Sequence, residues 1–376
     1  MDLHINRDVL SRGLARIQGV IERRSTHPLL SHVLLHARQS EGGGGLKMTA
    51  TDTEIAFIGD LDANIEGEGQ IAVDASRLFQ IVRAMPEPTV QLTMGNGNRL
   101  EIRSGRSFFR LPGHAAEEYP PLPAFDQSST VHMTEGTIRR FVDQTSFAVA
   151  TDDGGMYGLN GAYLEKVEDD AGTRLRMVAT DGHRLSAAEG SFEGDLTLTP
   201  RTLVPRKALA VIRKLLDGGE EKLEVSFGEG AIRLSLPNQV FWFRLLDAEF
   251  PDYNAVLPKE CKHRATLNRT ELSAALKRIM ILVADRTQAV RFSFDKEDIE
   301  IEVRNVDHGE VKESVSMTYE GESIGVGFNA RYLQEILNAM NGDKVVLELA
   351  HPLSPCMVRD PDDQSAFFVV MPMRLD

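Results

Sequence analysis

The chain has 376 residues, 42% of them apolar and 26% charged, which excludes a mainly disordered polypeptide and leaves room for two to four domains of roughly 100–200 residues each. Lys and Arg number 42 against 56 Asp and Glu, a net charge of −14 that, taken as one sum, argues against a polyanionic ligand such as nucleic acid. Two cysteines, Cys261 and Cys356, make neither a disulfide framework nor a zinc site, and there is neither an apolar signal core nor a membrane-length apolar run, so a cytoplasmic protein without cofactor, metal or membrane span is expected.

From the N-terminus, HINRDVLSRGLARI at His4 reads as a short alternating strand, a polar residue, and a helix with Leu10 and Leu14 four apart. The glycine run at 42–45 reads as a flexible hairpin loop, and KMTATDTEIAFIGDL from Lys47 as strand. AVDASRLFQIVRAM from Ala72 supplies a second helix, and VQLTMGNGNRLEIRSGRSFFRL from Val90 is a hairpin turning at Gly95-Asn96-Gly97. No GxxxxGK[ST] phosphate loop occurs.

The same succession then returns twice. HMTEGTIRRFVDQT from His132 and TLNRTELSAALKRI from Thr266 match the first segment, aligning Leu10 with Ile138 and Leu272, and Leu14 with Val142 and Leu276. Thr134 and Asn268 stand as helix caps. LVPRKALAVIRKLL from Leu203 and GFNARYLQEILNAM from Gly327 match the second helix, aligning Leu78/Leu209/Leu333, Ile81/Ile212/Ile336 and Met85/Leu216/Met340. AlaThrAsp at 50–52 recurs at 179–181. Matched elements in one order at nearly constant spacing predict an α+β fold of three tandem copies, each with two helices and about eight antiparallel strands. The boundaries predicted from the loop-like stretches give domains 1–126, 127–260 and 261–376.

With six helices placed, the charge can be divided. The windows 6–24, 74–85, 135–146, 205–216, 269–280 and 329–340 hold 17 Lys and Arg against 7 Asp and Glu, so +10 lies on the helices and −24 elsewhere. Arg12, Arg16, Arg23, Arg24, Arg206, Lys207, Arg213 and Lys214 suit duplex phosphates rather than base edges. The windows lack a helix-turn-helix spacing and interleaved aromatics, which leaves sequence-independent attraction to the backbone. A carboxylate-pair hydrolase would need one concave acidic site, whereas these acids are spread over three repeats. A repeat scaffold that binds proteins without DNA would not need the charge division.

ATDGHRLS at 179–186, VPRK at 204–207, EFPDYNAVLP at 249–258, GFNARYLQEILNAM and the terminal VVMPMRL closely resemble the bacterial DNA polymerase III β subunits, the sliding clamps, along the whole chain. That resemblance implies a non-enzymatic processivity factor: a head-to-tail homodimeric ring, helices inside and sheets outside, encircling double-stranded DNA. Arg24, Arg206, Lys207, Arg213 and Lys214 would line it. Polymerase α subunit, clamp-loader δ subunit, translesion polymerases and mismatch-repair proteins would bind by short linear motifs in a pocket. Carried over position by position, the pocket takes Leu159, Thr180, Gly182, His183, Arg184, Leu185, Pro251, Val256, Asn329, Tyr332, Val369, Met371, Pro372, Met373, Arg374 and Leu375. Met and Leu would make an adaptable apolar floor, with His183, Arg184 and Asn329 fixing a peptide at the edge. Without the resemblance His183 reads as a turn or core histidine, and no nucleophile stands beside it for catalysis.

Three places depart from the family pattern. The pocket wall here reads His351-Pro352-Leu353-Ser354-Pro355, which brings Leu353 into the pocket set. Asp152 and Asp153 stand where better-known members carry uncharged or basic residues, and Gly158 where they carry an aromatic. Phe108 replaces a basic residue at the dimer face, which is otherwise implied to comprise Arg99, Arg103, Arg106, Phe109 and Leu111 against Ile281, Leu282, Glu310 and Glu313.

Overall fold

The computed structural model describes residues 1–376 apart from 23–26, 41–42, 123, 152–156, 170–171, 200, 259, 284–288, 306–308 and 376. The first helix of each repeat spans eleven residues, α1 (Arg7–Ile17), α3 (Glu135–Thr145) and α5 (Arg269–Ile279). The second spans ten: α2 (Ala75–Ala84), α4 (Arg206–Leu215) and α6 (Ala330–Ala339). Side-chain caps open α1, α2, α5 and α6: Asn6, Asp74, Asn268 and Asn329 accept backbone N–H bonds that the first helical turn cannot satisfy itself. The aligned apolar positions are buried throughout, except for a half-buried Ile81. Period and burial therefore agree: each helix lays one stripe on its sheet.

Two expectations change. The window 6–24 is too long, because α1 ends at Ile17, where Gln18 turns back to the carbonyl of Ala15 at 3.2 Å. Arg23 and Arg24 lie outside the described residues. The glycine run is also not all loop: Gly43–Thr51 is a strand, with Gly44 opposite Gln39. A side chain at Gly44 would come within 2.7 Å of Ile65 and 2.9 Å of the Ala63 carbonyl, so the glycine permits close packing.

The chain forms two compact units that do not follow the repeats. The first comprises Met1–Thr134, Glu193–Thr197 and Glu221–Leu245. It contains α1, α2 and a fourteen-stranded antiparallel sheet, in which the middle repeat's last strand, Gln239–Arg244, pairs with Ile55–Asp62 of the first repeat. The second comprises Glu135–Phe192, Leu198–Glu220 and Leu246–Asp376, with α3 to α6 and a twelve-stranded antiparallel sheet. There Arg184–Gly190 of the middle repeat pairs with Ala366–Val370 of the third. The middle repeat is divided because its strands extend both neighbours' sheets. Among the described residues no helix is long and apolar enough to cross a membrane.

Candidate functional surfaces

As folded, the six helices carry 15 Lys and Arg against 5 Asp and Glu, so the surplus remains ten and the rest of the chain −24. Helix α4 has no acidic residue, and Arg206, Lys207, Arg213 and Lys214 are all exposed on it. Each pair spaced by seven repeats on one face, about 10 Å apart along the axis. Arg206 and Lys214 meet no acidic partner among the described residues, whereas Arg213 donates to Asp143 at 2.7 Å. Asp143 also takes Arg139 at 2.8 Å, so α3 partly neutralises the basic face beside it. Arg139, Asp143 and Arg213 line a cleft of about 560 Å³ with Arg140 and Glu335. Arg140 is anchored rather than offered: it donates to the Glu189 carbonyl and the Ser365 hydroxyl, both at 2.7 Å, and burial lowers its pKa. Arg24 and the acids of the 152–156 loop lie outside the described residues. Gly158 beside that loop has no room for a side chain, since a Cβ would fall 2.1 Å from the Glu249 carbonyl.

The residues expected to form the pocket belong to the second unit. Thr180 and Asp181 build a turn: Thr180 Oγ1 donates to the Arg184 carbonyl at 2.6 Å and accepts from Gly182 N at 3.1 Å. Asp181 Oδ1 accepts from the backbone N–H of His183 and of Arg184, each at 3.0 Å. Gly182 supplies the left-handed corner, φ +86°. The turn leaves His183 exposed and stacked on Tyr332, 6.3 Å between centroids. The terminal segment is tied down by Met371 N to the His183 carbonyl at 2.9 Å and Met373 N to the Gly327 carbonyl at 2.8 Å. Gly327 must be glycine, because a Cβ would stand 2.5 Å from the Met373 carbonyl. Leu159, Pro251, Met371, Pro372, Met373 and Leu375 are half-buried, Arg374 is exposed, and Val256 and Leu353 present 37% and 64% of their surface. Leu353 rides on a turn leading into Cys356–Arg359, the neighbour of Ala366–Val370.

Four of the expected pocket residues, Arg184, Asn329, Leu185 and Val369, are buried and engaged within the chain. Arg184 is buried: it pairs with Asp181 at 3.0 Å and with Glu335, donates to the Phe147 carbonyl at 2.6 Å, and lies over the Phe147 and Tyr332 rings. All three nitrogens of its head are thus engaged within the chain. Asn329 is likewise a buried cap, accepting from Arg331 N at 3.0 Å. Leu185 and Val369 lie in a small core with Val178, Ala187, Tyr253 and Met357. Residues 94–111 show the opposite. Met94, Phe108 and Phe109 are 39%, 44% and 43% exposed, and Ile281 after α5 is 78% exposed. Arg103 and Arg110 flank the Phe108 ring and both reach Glu101, whose carboxyl the Arg110 bond holds below the usual range. Arg99 and Arg106 are exposed as expected, whereas Leu111 is buried at 8% and Leu282 leans on the third repeat's core. Glu310 is exposed, but Glu313 is gripped by Arg278 of the same chain at 2.6 and 2.7 Å.

Models of the N-terminal, central and C-terminal domains of the DNA polymerase III beta subunit match residues 1–123, 132–252 and 254–374. The chain belongs to the DNA polymerase III beta subunit family. The Caulobacter vibrioides beta sliding clamp is 34% identical over the full length of both chains, and that of Escherichia coli K12 is 32% identical with the same coverage. Among solved structures, the Caulobacter crescentus clamp superposes at a TM-score of 0.93 with 34% identity, and the Bartonella birtlesii clamp, bound to griselimycin, at 0.93 with 31% identity, each covering both chains completely. As a beta subunit the chain is a sliding-clamp component of the replicative polymerase and not an enzyme. Sequence reasoning missed the groups around the expected pocket residues in this beta subunit: Phe147 and Glu335, which hold Arg184, and the Tyr253 hydroxyl, which takes Arg176. Their partners lie 37 to 151 residues away, beyond any local pattern.

Proposed function

We propose that two copies of this chain close head to tail into a ring around duplex DNA and hold it by topology, with helices lining the hole and sheets outside. The domains of this ring are 1–126, 127–260 and 261–376, and it works in the cytoplasm. Its pocket tethers the polymerase α subunit, the clamp-loader δ subunit, translesion polymerases and mismatch-repair proteins by short motifs.

One observation carries the reading. Strand registers make Ser107–Leu111, Gln239–Phe243 and Ala366–Val370 equivalent, each segment following its own repeat's preceding strand. Phe109, Phe241 and Phe368 then occupy one position. Phe241 lies opposite Phe57 and Phe368 opposite Ser186, in strands of the preceding repeat, and both are buried at 1% or less. Phe109 has no such neighbour among the described residues and is 43% exposed. The strand equivalent to those two partners in the third repeat is the first half of Gly309–Glu320, which pairs on one side only, with Asp298–Asn305. Counting from the hairpins, Thr51 opposite Ala56, Thr180 opposite Leu185 and Arg304 opposite Glu310 correspond. The same junction made between chains sets Val311 against Phe109 and Glu310 against Arg110. Each ring has two such junctions, so a heterologous contact closes instead of running on as a filament. Burying one phenylalanine contributes about 1.5–3 kcal/mol, and each ring buries two.

The DNA arm rests on the basic helices, with the −24 remainder discouraging contact elsewhere. The test is retention on closed circular DNA at high salt. The clamp should stay until the circle is cut and then leave at once. Loss by salt alone, with no effect of cutting, would mean ordinary electrostatic binding and would sink the ring.

A further inference from the structure

A charge network in the second unit centres on Tyr253 and Arg176. Tyr253 is 5% exposed in the turn Tyr253–Val256, two residues beyond Pro251 and three before Val256. Its hydroxyl accepts from Arg176 Nη1 at 2.7 Å and donates to the Glu165 carboxylate, which also takes Arg176 Nη1 at 3.2 Å. On its other side Arg176 grips Glu189 with Nε at 2.8 Å and Nη2 at 2.5 Å. The backbone N–H of Glu189 donates to the Ser365 carbonyl of the third repeat at 2.6 Å. The Tyr253 ring packs with Leu185, Met357 and Val369, and Phe250 stacks on Tyr163 with centroids 5.3 Å apart.

Stretch 250–257 is therefore a loop with one short turn, held at its centre by a single buried hydroxyl whose donor and acceptor bonds are both made. Such a group is costly to leave unpaired. The loop ends in Val256, an exposed aliphatic of the peptide pocket, while the tether reaches strands of the middle repeat and, through Glu189, the third. We infer that Tyr253, Arg176 and Glu165 are positioning residues for this wall of the pocket. They fix the loop before a partner arrives, so that binding an apolar peptide side chain at Pro251 and Val256 does not have to order it. The inference rests on the pocket reading given above.

Tyr253→Phe keeps the ring and the Arg176–Glu165 pair but deletes both hydroxyl bonds. With purified polymerase α subunit as probe in surface plasmon resonance, its affinity should fall about three- to ten-fold, chiefly through faster dissociation, with retention on circular DNA unchanged. In a Val256→Ala background the same substitution should change affinity by less than about twofold, because the group it positions is gone. Glu165→Gln, which still accepts the hydroxyl bond, should stay near wild type, whereas Glu165→Ala should resemble Tyr253→Phe. Arg174→Gln loosens Glu189 without touching Tyr253, and should lower the melting temperature without weakening α binding. Unchanged affinity in Tyr253→Phe, or equal losses with and without Val256, overturns the inference. If a chain lacking residues 371–376 still binds α, the pocket reading fails and the positioning role with it. If that truncation loses α while Tyr253→Phe keeps it, only the positioning role fails.

Discussion

The second unit uses arginine in two ways, on its helix faces and beneath its pocket. Arg213 and Arg278 each meet one carboxylate and leave 57% and 54% of the side chain in solvent. Arg184 and Arg176 are 9% and 20% exposed, and each distributes its donors over three groups. The residue type is the same; the number of partners around the planar head is not. A cation is available to a phosphate only when its donors are not already committed, and a saturated guanidinium serves as a rivet.

That contrast can be broken most sharply at Arg184. Arg184→Ala would leave Asp181 and Glu335 facing a gap in the protein, costing about 3–5 kcal/mol in denaturant unfolding. Arg206→Ala in the same measurement should stay within about 0.5 kcal/mol. Equal costs would abolish the distinction. Next in size, Phe109→Asp together with Ile281→Asp should convert the proposed dimer to a monomer in sedimentation, since both place a charge on surface that the ring would bury. A double variant that still sediments as a dimer would move the interface elsewhere.

A smaller effect separates binding from building on the helices. Reversing the charge of Arg24, Arg206 and Lys207 together should shorten the lifetime on closed circular DNA with little change in melting temperature. Unaltered retention would count against these residues as lining. The smallest effect is acid sensitivity at Glu313, whose carboxyl the Arg278 bonds hold below its usual range. A lowered folded-state pKa means that the pair stabilises above the unfolded value of about 4.3 and stops doing so as pH falls through the folded value. Glu313→Gln should therefore flatten the acid limb of the stability profile just below pH ~4.3, modestly, because the pair is near the surface. An acid limb identical to that of wild type would show the pair to be idle.

Much of the architecture is legible along the chain, because the helices advertise themselves by a four-residue stripe and, at Asn6, Asp74, Asn268 and Asn329, by a side-chain cap. Asn268 caps α5 as its sequence position indicates, and Leu10, Ile138 and Leu272 are buried alike. The overlong first helix is a failure of the same rule: Val20 and Ile21 continue the apolar stripe but are buried by a turn. Arg184 and Asn329 misled for a different reason. A polar residue next to a pocket reads as a contact until its partners are known, and Glu335 is 151 residues from Arg184. Phe109 is the opposite case, since FFRL at 108–111 looks like any strand of a core. The strand registers make it equivalent to the buried Phe241 and Phe368, yet it is 43% exposed, and that difference supports the proposed junction.

The division of the middle repeat has a consequence for biosynthesis. The first unit's sheet includes Lys222–Gly228, Ala231–Leu236 and Gln239–Arg244, so it cannot be completed on the ribosome until about two thirds of the chain has been made. Arg184–Gly190 must wait longer still, until Ala366–Val370 emerges almost at the end. Translation thus leaves one strand edge exposed after another, each awaiting the segment that will cover it.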